Sequence, residues 1–201
     1  MMLTKNRIPL LIVLICCIEI IIYLWAVFTT EADFVINKCA RNAGRTSEAL
    51  NLAILTMVGY FGLKQIYSNE KNKDTFRILM TLFAFNHIIH FFFVYQNFKS
   101  HAMPLDISDN KHGFVTFICI VLMTIALWTF KNLNKMLYIS IIFHLFNVSY
   151  FIMETLYNKI KPDIITIHYK FGIFITSTAM LYILYRVVRE NKIKYLVATH
   201  Q

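Results

Sequence analysis

Three histidines stand in long, mostly apolar runs, beside Asn86 in one and Asn147 and Ser149 in the other. His87 and His90 lie in the run 78–95, and His144 lies in the run 136–157. Imidazole takes up protons near neutral pH and is the commonest metal ligand among side chains. At bilayer depth an ionisable group marks function, because burying it is costly unless it is paired or used. His87 is ten residues past Arg77, and His144 is nine past Lys135. At 1.5 Å rise per residue, each would lie roughly 14 Å from the basic end of its helix. Two imidazoles at one depth on two helices are what a bis-histidine b-type haem requires. His90, three residues on, shares a face with His87 and is an alternative ligand or a supporting group. Two plainer readings stay open: histidines that only hydrogen-bond between helices, and a proton relay or another metal. A di-iron centre would need carboxylates and histidine boxes that the 7 histidines do not form.

Two other groups belong with these. Glu19 is the sole acid in the middle of an apolar run. It reads either as a neutral, protonated residue or as a proton-coupling catalytic group. Arg41 and Arg45 lead into the second apolar run, where they could hold a haem propionate, another anion or a lipid headgroup. Thr46 or Ser47 would cap that second helix, with Glu48 in its first turn. His101, His112, His168, Asp106, Asp109 and Asp163 fall between runs, and their spacing matches no metal motif.

The elements that must position these residues follow from composition. The chain has 201 residues, 58% hydrophobic and 15% charged, with a mean hydropathy of +0.56. A soluble domain carries about a quarter charged residues, so a soluble enzyme is disfavoured and a disordered chain is excluded. With 4 cysteines the chain is no disulfide scaffold. A spanning helix needs roughly 20 mostly apolar residues. Runs of that kind cover about 8–28, 49–67, 78–95, 114–130, 136–157 and 171–188. None has a proline in its interior, as continuous helices require. The expected fold is an all-α integral membrane protein, a single transmembrane domain over 1–201 built as a bundle of six helices. The first run is too long for a signal-peptide core and no cleavage site follows it, so it reads as a retained helix.

The net charge of +9 reads as membrane topology rather than nucleic-acid binding, so no nucleic-acid partner is expected; the partner is the lipid bilayer. Lysines and arginines number 12 on the side of both termini and 8 on the other. That bias puts both termini in the cytoplasm. The short basic turn 131–135 makes helices four and five an antiparallel hairpin. The stretch 29–45 between the first two spans is too short to fold alone, so no second catalytic domain is expected.

Six spans, Gly44, Arg45 and Ser47 before the second, Arg77 leading to His87 in the third, and Lys135, Tyr138 and His144 in the fifth together resemble the ferric reductase-like transmembrane family. That family includes haem-binding membrane subunits of bacterial methionine sulfoxide reductases. The resemblance covers roughly residues 40–190. It implies a haem b ligated by His87 and His144, with His90 and Arg45 in support, in an electron-transfer subunit of the bacterial inner membrane. A second histidine 13 residues from His144, common in that family, is missing: Lys131 and Tyr157 stand there. A two-haem chain therefore lacks its ligands. Electrons would come from a separate reductase or from quinol. The rival readings are a non-enzymatic transporter subunit or assembly factor, and a membrane enzyme acting on a lipid or isoprenoid.

Overall fold

The computed structural model describes residues 8–101, 111–160 and 167–198, with side chains described as far as 190. Seven α-helices occur among the described residues: α1 (Ile8–Thr29), α2 (Val35–Phe61), α3 (Leu63–Ser68), α4 (Glu70–Ser100), α5 (Lys111–Thr129), α6 (Lys135–Tyr157) and α7 (Ile167–Ala198). A 3-10 turn, Ala32–Phe34, precedes α2. Five helices are long and apolar enough to cross a membrane: α1, α4, α5, α6 and α7.

The second predicted span departs from expectation at both ends. Its helix begins at Val35, so most of the stretch read as a loop is helical. Cys39, expected in that loop, is buried in α2. Thr46 and Ser47 therefore cap nothing. The Thr46 hydroxyl donates to the Asn42 carbonyl of its own helix, and Ser47 is buried. The polar residues that look like a loop are one half of an amphipathic helix, whose apolar stripe packs inward. At the other end the chain breaks at Gly62 (φ 76°, ψ 149°), separating α2 from α3. A Cβ there would clash with Glu190 Oε1. Only glycine occupies that backbone region at low cost.

α2 is the hub. It packs on α1, α4, α6 and α7, and its seam with α4 is the most extensive. α4, α5, α6 and α7 continue the circuit, each against the next along α4–α5–α6–α7, and α7 closes it on α2. α1 lies chiefly against α2 and α4. The core runs through this circuit, with Ile54, Phe76, Phe83, Ile120, Ile141 and Leu145 among its fully buried side chains. The expected hairpin is present: α5 ends at Thr129, α6 starts at Lys135, and the two pack together. Asn134 caps α6 by accepting from the Leu137 amide at 2.7 Å.

Polar side chains pin the hub. Asn86 on α4 donates to the Ala43 carbonyl (3.1 Å) and to Ser47 Oγ (2.8 Å) on α2. Asn51 on α2 donates to Ser149 Oγ on α6 at 3.4 Å. Buried polar groups in an apolar bundle find few alternative partners, so these pairs fix which helices meet and in what register.

Candidate functional site

A cavity of about 500 Å³ opens between α2, α4, α6 and α7. His87 and His90 form its α4 wall. Phe151, Ile152 and Leu156 of α6 supply an apolar wall. Arg41, Arg45, Lys159 and His168 also line it, with one acid, Glu48.

His90 is the most constrained of the imidazoles. Its Nδ1 lies 2.8 Å from the Ala40 carbonyl. A carbonyl only accepts, so Nδ1 carries a proton and donates it. In the neutral ring Nε2 then holds the lone pair, and no described residue hydrogen-bonds to it. A backbone carbonyl fixing one ring nitrogen while the other faces open space is how ligating histidines are usually oriented. Gly44 makes the approach possible: a Cβ there would lie 3.1 Å from His90 Cε1.

His87 is set differently. Its Nδ1 is 3.4 Å from Ser47 Oγ, which already accepts from Asn86. The serine hydroxyl proton is free to point at His87 Nδ1, which favours a proton on Nε2. The ring packs against Phe117 of α5 (centroids 6.1 Å apart) and beside His90 (5.5 Å). Phe91, one residue past His90, stacks on Phe117 at 4.9 Å.

His144 is elsewhere. It is buried on α6 and lines a second cavity, between α5 and α6, that includes neither His87 nor His90. Residue counting along two helices estimates depth but says nothing of which way each side chain turns about its helix. Thus the structure brings His87 and His90 to one cavity and gives His144 another.

Glu19 is buried on α1 and takes no part in either lining. Its carboxyl lies beside Thr46 of α2 without a hydrogen bond of normal geometry among the described residues. The outer-loop group does not assemble. His101 donates to the Asn97 carbonyl, His112 pairs with Glu154 at 2.9 Å, and His168 stands at the first cavity. Asp106, Asp109 and Asp163 lie outside the described residues.

Lys159, just past the end of α6, is the cavity residue that sequence reading missed. Burial pushes its ammonium below the ordinary lysine value, and the charges of Arg41 and Arg45 push the same way; Glu48 pulls it back. A signal was available. Ile152, Thr155, Leu156 and Lys159 follow the spacing of one helical face.

Among the described residues no three His, Cys, Asp or Glu side chains cluster as a metal site. A bare ion therefore lacks a protein-built coordination set there. A metal held in a macrocycle would bring most of its own ligands and would ask the chain for a nitrogen lone pair, which His90 Nε2 offers. Comparison with family models, curated proteins and solved structures gives no match for this chain.

Proposed function

We propose that this is a multi-pass membrane protein whose first cavity holds a b-type haem for electron transfer, as the resemblance to ferric reductase-like proteins implies. One observation carries the reading: His90, tautomerically fixed by the Ala40 carbonyl, faces a cavity that is also lined by Arg41, Arg45 and Lys159. A haem supplies one-electron exchange at its iron. The chain's own residues supply the rest. His90 would hold the iron through Nε2. His87 beside it supplies a second imidazole on the same wall. Arg41, Arg45 and Lys159 neutralise carboxylates, and Phe151, Ile152 and Leu156 exclude water. This assignment replaces the pairing of His87 with His144, because His144 lines another cavity.

In this reading α2 is the sixth crossing, its polar half sheltered by neighbouring helices, with both termini on the cytoplasmic side of a bacterial inner membrane. The electron donor is a separate reductase or a quinol. Glu19 is a neutral acid of the α1–α2 seam.

The test is an absorption spectrum of the purified protein in mild detergent, oxidised and then dithionite-reduced. A Soret band with sharp reduced α and β bands is expected. His90→Ala should abolish it, His87→Ala should shift or weaken it, and His144→Ala should leave it in place. A featureless spectrum from haem-replete cells would end the proposal. Loss of haem in His144→Ala with full retention in His90→Ala would restore the depth-based pairing.

A further inference from the structure

The second cavity has its own chemistry. It is a groove of about 510 Å³ between α5 and α6, walled by Leu122, Met123, Leu137, Ile139 and Phe143. Its polar lining is Asn134, Ser140, His144 and Asn147; His144 and Asn147 are three residues apart and so on one face of α6. His144 is only 4% exposed. Neither of its ring nitrogens has a hydrogen-bond partner among the described residues. Asn147 spends its amide N–H on Thr116 Oγ1 at 3.3 Å, which leaves its carbonyl oxygen as an acceptor.

A neutral imidazole has one donor and one acceptor, and leaving both unmade in an apolar setting is unfavourable. The groove thus combines a long apolar wall with a donor and an acceptor at one point. A cation at that point has no carboxylate to meet: the described lining contains no Asp or Glu. An anion has no lysine or arginine to meet, for the described lining contains neither. The head that fits is uncharged and both gives and takes a hydrogen bond, which is a hydroxyl.

We infer that the α5–α6 groove is a binding site for a long-chain lipid with a neutral hydroxyl head, which accepts from the His144 ring N–H and donates to the Asn147 side-chain oxygen. The tail lies along Leu122, Ile139 and Phe143, each more than 40% exposed where it would meet acyl chains. The inference does not depend on the haem reading, since the two cavities share no residue.

The test uses the full chain in lipid nanodiscs with 1-hexadecanol carrying a mid-chain diazirine. Photolabelling should fall on peptides of α5 and α6. The O-methyl ether of the probe, which cannot donate, should label about tenfold less. His144→Phe should reduce labelling to a similar degree. Ala126→Phe, which fills the groove without touching either polar group, should do the same and guards against a folding defect at His144. Competition by unlabelled prenyl alcohol, by unlabelled decyl hydroquinone, or by both tells isoprenoid from quinol sources. Equal labelling by the ether, or labelling unchanged in both variants, would overturn the inference and reduce the groove to a lipid-facing surface.

Discussion

The two ends of the bundle use their cations in opposite ways. At the end where α2 stops and α4 begins, the buried Arg77 and Lys73 and the half-buried Arg186 are each matched to a helix terminus. Arg77, 5% exposed, donates to the Phe130 carbonyl at the end of α5 (2.9 Å) and stacks over Trp128. Arg186 donates to the Gly59 and Tyr60 carbonyls at the end of α2. Lys73 bonds Glu70 and the Lys131 carbonyl. Terminal carbonyls carry partial negative charge and lack intrahelical donors, so these are structural contacts. At the other end, among the described residues, Arg41 and Arg45 hydrogen-bond amide side chains of their own helix, Asn37 and Asn42 (both 3.2 Å), and both line the same cavity as Lys159 and Glu48. Cations that meet carbonyls hold the fold together. Cations that crowd one another around a cavity, with Glu48 the one acid in the described lining, are what a site for an anion would need.

Breaking the structural end should give the largest effect. Gly62→Val combines a forbidden backbone with a clash against Glu190, and a loss of about 3 kcal/mol or more is expected from strain of that kind. Reversible unfolding in mixed micelles would measure it, and an unchanged midpoint would show that α2 and α3 can join as one helix. Arg77→Met comes next. A charged, buried hydrogen bond is worth about 1.5–3 kcal/mol, and that loss is expected without any change in the reduced spectrum.

The cavity end should respond in the reverse sense. Arg41→Gln with Arg45→Gln should leave stability level or raised, because the repulsion within the cluster is relieved. Haem affinity should fall about tenfold, or roughly 1.4 kcal/mol, for lost charge-assisted contacts. Titration of apoprotein with haemin would read this, and destabilisation equal to that of Arg77→Met would erase the distinction between the two ends.

Smaller effects sharpen the comparison. Lys159 has its proton affinity lowered in the folded state, so the unfolded chain holds that proton to higher pH. Stability should therefore rise as pH increases from below the lowered value into the ordinary lysine range, and fall on the way back. Lys159→Met should remove that slope in unfolding midpoints taken at stepped pH; a slope that persists would trace it to other groups. Gly44→Ala is expected to do least to stability, under about 1 kcal/mol, given a contact the ring can relieve by a few tenths of an ångström. It should still move the Soret band through His90, and an unmoved band would take His90 off the iron.

Much of the fold was legible because apolar length is a property of the chain alone. The runs at 8–28, 114–130 and 136–157 match helices to within a few residues, since hydrogen-bonding every backbone group internally leaves a helix as the simple solution. The run at 49–67 misled. The first half of α2 is polar enough to look like a loop, and it becomes helical because its apolar stripe is covered by α4, α1 and α7. The candidate site divided along the same line. His87 and His90 share a face because three residues of helix put them there, whatever surrounds them. Their separation from His144 depends on how α4 and α6 are rotated about their axes, and no count along the chain carries that rotation.

Sequence by itself determined the helical class, the helix ends marked by charge, and the pairing of two imidazoles on one helix, because these rest on local periodicity and hydrophobic length. Tertiary structure alone decided that Ala40 fixes His90, that Lys159 joins Arg41 and Arg45, and that His144 lines a groove of its own. Those are contacts between residues far apart in the chain, set by packing of side chains into a common core, and packing is a property of the assembled helices rather than of any one of them.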